Sequence, residues 1–180
     1  MTLSRSIPLA STILAIACLL CGSIAAWAKI VVPPDAVIEV DDAIVKSVVA
    51  LFEEAEQAMM AHDLDSVMAV YSSHYNYHGL KKDDIRKIWS DLFNEYRDFS
   101  STHILTKFTK VGAASQVVLE VTCTGHLWAQ SKTSSLYVPI DSWHEEVHYP
   151  VFEDGRWRIR GNLGEVPRTL PFGTAPHPLF

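Results

Sequence analysis

Two acids, Asp141 and Glu145, stand in a stretch that is otherwise rich in aromatic and β-branched residues, IDSWHEEVHYPVFEDGRWRIRGN, from Ile140 to Asn162. A carboxyl group on an apolar strand face has two uses. Burial can keep it protonated, so that it donates a hydrogen bond, or it can accept a proton as a general base. Alternation puts Asp141, Trp143, Glu145, Val147, Tyr149 and Val151 on one face of a strand, and Ser142, His144, Glu146 and His148 on the other. A tight turn at Glu153-Asp154-Gly155 leads into a return strand in which Trp157 and Ile159 share a face and Arg156, Arg158 and Arg160 point away. An apolar face carrying two acids reads as the lining of a pocket. Asp141 is then a pocket acid, with capping of the strand start near Ser135 and Tyr137 as the competing reading. His78, in Tyr75-Asn76-Tyr77-His78-Gly79, is the candidate base at the pocket mouth, or a half-exposed histidine at a strand end. The expected ligand-binding lining is Tyr71, Tyr77, Trp89, Phe93, Trp143 and Glu145.

Other chemistries find less support. The chain has eight histidines, including His74, His78, His126, His144 and His148, but none at a workable ligand spacing. His144 and His148 lie about 13 Å apart along one strand at the standard rise, too far to share a zinc ion. We therefore expect no metal and no cofactor. Beyond residue 28 there is no Ser-His-Asp arrangement, Gly-rich phosphate loop or Cys-x-x-Cys pair. Cys123 sits in a dense strand pattern and reads as a small buried hydrophobe.

The elements that must position these residues follow from periodicity. Residues 29–40 are expected to be a linker, since Pro33-Pro34 forbids helix. A helix begins after Asp41 or Asp42 and ends near His62, with Ile44, Val48, Leu51, Phe52, Ala55 and Met59 as its inner stripe and Glu53, Glu54, Glu56 and Gln57 on the solvated side. Asp63 caps a shorter helix with Leu64, Val67, Met68 and Tyr71 inward, and a short aromatic strand follows. Lys82 to Phe99 is expected as the third helix, with Ile85, Ile88, Trp89, Leu92, Phe93, Tyr96 and Phe99 on one stripe. From Thr102 the period becomes two, with Ile104, Thr106 and Phe108 facing one way. After a Gly112-Ala113-Ala114 turn, Val117, Leu119, Val121 and Cys123 share a face. Gly125 suggests a bulge that could switch the face of His126 and Trp128. Lys132 to Ser135 is a polar hairpin loop, and residues 163–180, with Pro167, Pro171, Pro176 and Pro178, are an extended tail.

The first 28 residues read as a signal peptide. MTLSR gives the positive start, Ile7 to Ile24 the apolar run, and Ala26-Trp27-Ala28 the cleavage site. The mature chain is expected to begin at Lys29, in the periplasm or secreted. Ala15-Ile16-Ala17-Cys18 offers a lipid-anchored alternative at Cys18. Loss of Arg5 takes 15 basic residues to 14 against 21 acidic ones, and the net charge from −6 to −7. That charge argues against nucleic acid or an anionic membrane as partner. Cys18 and Cys21 leave with the signal, so no internal disulfide is available and the domain must be held by its core.

Three helices followed by a run of long antiparallel strands is an α+β layout in which the helices cover one face of a curved sheet. Over residues 41–162 the chain resembles the nuclear transport factor 2-like superfamily, which includes ketosteroid isomerase and the SnoaL-like cyclases. The likeness rests on Ala61-His62-Asp63-Leu64-Asp65-Ser66-Val67 through Tyr71, on the third-helix aromatics, and on Asp154-Gly155-Arg156-Trp157-Arg158-Ile159. It implies a cone with an internal pocket. Against ketosteroid isomerase, Pro139-Ile140-Asp141 matches the strand carrying that enzyme's oxyanion-stabilising Asp, so Asp141 takes that position. The family's tyrosine falls at Ala55 and its proton-abstracting Asp at Gly79, next to His78. The specific isomerase chemistry is not expected. Two readings stand: an exported module binding a small apolar molecule or serving as an accessory, and an isomerase, cyclase or dehydratase-like enzyme using Asp141 with His78 or Glu145. A homodimer through the outer sheet face, which carries Ser142, His144, Glu146, His148 and Trp128 with His126 and Trp128 as its aromatic area, is the expected self-association.

Overall fold

The computed structural model describes residues 29–112 and 116–161. The expected signal peptide (1–28), the tail (163–180) and most of the turn at 112–114 lie outside them. Among the described residues, nine strands and three helices follow in order as β1 (Lys29–Val31), β2 (Val37–Ile38), α1 (Asp42–Met60), α2 (Leu64–Ala69), β3 (Tyr71–Tyr77), β4 (Leu80–Lys81), α3 (Lys82–Glu95), β5 (Tyr96–Val111), β6 (Val118–Ser131), β7 (Tyr137–His148), β8 (Pro150–Glu153) and β9 (Arg156–Gly161). The strands form one mixed sheet in the order β1-β5-β6-β8-β9-β3-β4, with β2 also on β5 and β7 also on β6. The layout is α+β, three helices with one large sheet, as the element order implies.

Local chemistry accounts for most of the helix ends. The Asp63 carboxylate accepts from the Ser66 amide at 3.1 Å and so caps α2. At α3 the Asp84 carboxylate reaches back to the Lys81 amide at 2.7 Å. Asp41 occupies the cap position of α1 without a side-chain bond to the helix. Along α1 the buried residues include Val48, Leu51, Phe52, Ala55 and Met59, the stripe read from the sequence. Glu56 is buried among them, against expectation. It follows Phe52 by four residues, which places it on the same helical face.

Three differences from the sequence reading have physical causes. Residues 29–40, expected as a linker, carry β1 and β2, both parallel to β5. Pro33-Pro34 forbids helix there but leaves the short runs on either side free to pair. The third helix stops at Glu95 rather than Phe99, because Tyr96 already pairs with Ser131 across β5 and β6. Phe99 still reaches the core, now from a strand.

The face assignment of β5 changes most. Ile104 is exposed, whereas Phe99, Ser101, His103 and Leu105 are buried. A register shift between Leu105 and Lys107 then returns Phe108 to the core. Other irregularities fall near Asp98 (φ 51°) and at Glu145 (φ 53°). Each extra residue bends its strand and adds twist, which lets the long strands wrap around the helices. The β8–β9 turn is as expected: Asp154 and Gly155 both have positive φ (51° and 79°), and Glu153 pairs with Arg156 across a two-residue loop.

Between α1 and α2, His62 adopts φ 55° and stacks on Phe93 with ring centroids 4.8 Å apart, edge-on to Phe99 at 5.3 Å. Burial and the nearby Lys132 ammonium lower its pKa, with Asp98 opposing. The native state therefore holds His62 less protonated than the unfolded chain does. Stability should be unaffected above the ordinary histidine value of 6.5, fall as pH drops through it, and level off below the native value. Urea midpoints between pH 5 and 8 for the protein and for His62→Gln test this. The variant is expected to show the shallower loss on acidification, and identical slopes would remove His62 as a cause.

Candidate functional site

The inner face of the sheet is best described as rows running across β5, β6 and β7. Register pairs Ser101 with Leu127 and Leu127 with Asp141. The next row is His103, Gly125 and Trp143, followed by Leu105, Cys123 and Glu146, then Phe108, Val121 and His148. Polar side chains thus recur in every row of a face whose other members, Leu127, Leu105, Phe108 and Val121, are buried hydrophobes.

The second row is its centre. The His103 ring nitrogen Nε2 lies 2.7 Å from Oε1 of Glu56, which descends from α1. Both side chains are essentially inaccessible, at 0% and 1% exposure. The opposite ring nitrogen of His103, Nδ1, is 3.7 Å from the Cys123 sulfur. The Trp143 indole N–H donates to that sulfur at 3.1 Å. Phe52 closes over His103 and His148, with centroids 5.3 and 5.6 Å away.

Gly125 makes this packing possible. A Cβ there would meet the Thr102 carbonyl oxygen at 2.0 Å and the Trp143 ring at 2.7 Å. Only the bare backbone lets the Trp143 indole lie across β6 toward His103, 5.1 Å away. The glycine does not turn its neighbours over, however. Leu127 and Ala129 remain buried and Trp128 remains outside, so His126 and Trp128 keep the outer face.

Burial pushes the Cys123 thiol up to about 12, against the lowering effect of the Trp143 donor. It is a neutral thiol at physiological pH and a poor nucleophile. A thiol reagent such as a disulfide chromophore is expected to leave Cys123 of the folded protein untouched and to titrate it after unfolding. Stoichiometric reaction of the native protein within seconds would contradict this placement.

The residues singled out from the sequence separate into two groups. Tyr71, Tyr77, Trp89, Phe93 and Trp143 all belong to the buried cluster. The Trp89 indole donates to the Tyr71 hydroxyl at 2.8 Å, and Phe93 lies 5.5 Å from the Trp89 ring. Tyr77 donates to Oε1 of Glu146 at 2.8 Å. Trp157 stands beside Leu51 of α1 and edge-on to Phe152. Asp141 is half-buried on the inner face, and its Oδ1 accepts from the Ser142 amide at 2.8 Å. His78 sits in the turn between β3 and β4 at φ 49°, its ring 4.4 Å from Tyr77.

Glu145 is not on this face. At φ 53° it is the extra residue of a bulge, exposed, with its amide bonded to the Thr124 hydroxyl at 2.9 Å. Beyond the bulge the alternation reverses, so Glu146 and His148 turn inward where the sequence pattern put them outward. The inner acids of β7 are therefore Asp141 and Glu146. Sequence reasoning also missed Glu56 and His103. Helical spacing from Phe52 could have found the first, but nothing local marks the second.

Among the described residues no group of three His, Cys, Asp or Glu side chains is placed to hold a metal ion, and no helix is long and apolar enough to cross a membrane.

No family model and no curated protein matches this chain. Solved structures that are similar to it include nuclear transport factor 2-like proteins. One is an NTF2-like family protein from Streptomyces avermitilis, at 13% identity and TM-score 0.44, covering 67% of this chain and 93% of that one. Another is a ketosteroid isomerase-like protein from Erwinia carotovora atroseptica, at 14% identity and TM-score 0.44, covering 67% and 94%. A third is Bd1075 of Bdellovibrio bacteriovorus, at 13% identity and TM-score 0.44, covering 67% of this chain but only 39% of that longer one. These are likenesses of outline at low identity, and no residue role passes from them to this chain.

Proposed function

We propose that this chain is an exported cone-fold module that binds a small, largely apolar molecule against the inner face of its sheet. The observation that carries the reading is the recurrence of polar groups in successive inner rows: Ser101 with Asp141, His103 with Glu56, then Glu146. A face built only for stability would be filled with hydrophobes, since each buried polar group must be matched at some cost. Here the matching is incomplete among the described residues. Oε2 of Glu56 and the hydroxyl of Ser101 are buried with no hydrogen-bond partner. Aromatic walls with a few such polar groups are the usual makeup of a small-molecule site. Export to the periplasm with an N-terminus at Lys29, and pairing of two copies through the outer face where Trp128 and Ile104 are exposed, belong to the same reading.

The test is native mass spectrometry of the protein secreted from its full-length precursor, compared with the denatured chain. The expected result is a chain starting at Lys29 that carries a small-molecule mass lost on denaturation. Asp141→Asn should retain that mass, and Glu56→Gln should lose most of it. A ligand-free protein, after extracts of apolar metabolites have been offered, would count against the reading. Light scattering should give twice the monomer mass.

The buried Glu56–His103 contact favours a second reading, as an acid–base enzyme of the isomerase, cyclase or dehydratase kind. A carboxyl group 2.7 Å from an imidazole is the arrangement that moves protons. Asp141 would then act as a donor to a substrate oxygen, and His78 as an accessory group at the turn. Turnover of any bound ligand that Glu56→Gln abolishes would select this reading over simple binding.

A further inference from the structure

A separate groove lies between α1 and the β8–β9 hairpin. It encloses about 260 Å³ and is lined by Ser47, Ala50, Leu51 and Glu54 from the helix and by Phe152, Gly155, Arg156 and Trp157 from the hairpin. Its floor is apolar. Phe152 and Trp157 meet edge to face at 5.3 Å, and Phe152 remains 45% exposed.

Arg156 and Glu54 bridge this groove. Both oxygens of the Glu54 carboxylate accept from the same nitrogen, Nη2, at 2.7 and 2.8 Å. Among the described residues the hydrogen bonds of Arg156 all run from Nη2, and none from Nε or Nη1. The guanidinium therefore presents unused donors in a plane that suits a carboxylate. Both side chains are substantially exposed, at 37% and 49%, so the pair contributes little to stability and is easily exchanged.

We propose that this groove is a binding site for a small aryl or short-chain carboxylate. The apolar part would lie against Phe152, Trp157 and Leu51. The carboxylate would take the guanidinium of Arg156 in a two-nitrogen fork, which its present contact with Glu54 does not provide. Glu54 is the internal competitor. It holds Arg156 in place when the groove is empty and yields it when the ligand arrives. The volume lies just below the range typical of drug-sized ligands, so the occupant is small. The net negative charge of the chain does not forbid an anion here, because at physiological salt charges more than about 8 Å away are largely screened. The site is independent of the inner face of the cone.

The experiment is a titration of the full mature protein with 3-phenylpropionate, followed by amide and indole chemical shifts, with 3-phenylpropanol as the uncharged control. Saturable shifts confined to residues 47–54 and 152–157 are expected for the acid, with at least tenfold weaker binding of the alcohol. Arg156→Gln should weaken the acid at least tenfold and leave the alcohol unchanged. Glu54→Gln should tighten the acid several-fold, because it removes the competitor. Since both positions are exposed, neither change should disturb the fold, and unchanged shifts elsewhere will show that. Equal affinity for acid and alcohol would overturn the proposal. So would weaker binding in Glu54→Gln, or shifts that map to the sheet interior instead.

Discussion

Replacing Glu56 alone by leucine is expected to destabilise the protein by about 3–5 kcal/mol, because it leaves His103 buried without its carboxyl partner. Replacing both, as Glu56→Leu with His103→Leu, should recover most of that loss. The reason is an asymmetry in the cost of burial. Both side chains are inaccessible, and their 2.7 Å contact is made where water cannot substitute for it. Deleting one partner exposes the other to the full desolvation penalty, whereas deleting both removes the penalty itself. The double variant still gives up the ring contacts of His103 with Phe52 and Trp143, so full recovery is not expected. Urea unfolding of the four proteins in the cycle gives the coupling energy directly. Simple additivity would show that the two side chains do not act as a pair. A double variant as stable as the parent would show that the fold does not need the pair.

Trp89→Ala is expected to cost about 3–5 kcal/mol, the usual range for deleting a large buried aromatic. Trp89 is fully buried. Its ring stands 5.5 Å from Phe93 and 6.4 Å from Phe99, so it joins α3 to the start of β5. Its indole N–H also meets the hydroxyl of Tyr71 at the start of β3. Truncation therefore opens a cavity and removes the donor to a buried hydroxyl at once. Trp89→Phe keeps most of the volume and loses only the donor, so it should cost distinctly less. A midpoint shift near zero for the alanine variant, in urea or on heating, would mean that Trp89 does not sit at this junction.

What the sequence settled by itself are the features whose causes are local. The Asp63 cap depends on a side chain three residues from the amide it accepts from. The buried stripe of α1 depends on a 3.6-residue period. The Asp154-Gly155 turn depends on two residues that tolerate positive φ. In each case the interacting groups lie within about one turn of chain, so residue type and spacing are sufficient.

Tertiary structure decided the rest. Glu145 was read inward and Glu146 and His148 outward because alternation has no memory of a bulge; one inserted residue inverts everything beyond it. Whether a strand bulges depends on the register of its neighbour, here β6, and not on its own sequence. Ile104 and Thr106 were put on one face with Phe108 for the same reason, and the shift between Leu105 and Lys107 parts Ile104 from Phe108. Residues 96–99 continue the helical stripe of α3 in sequence, yet they join β5 because β6 offers their backbone a partner. The Glu56–His103 contact joins residues 47 positions apart, and Gly125 must be bare because the Thr102 carbonyl and the Trp143 ring both crowd it. No local pattern encodes such meetings, since they exist only after a helix and three strands have been brought onto one another.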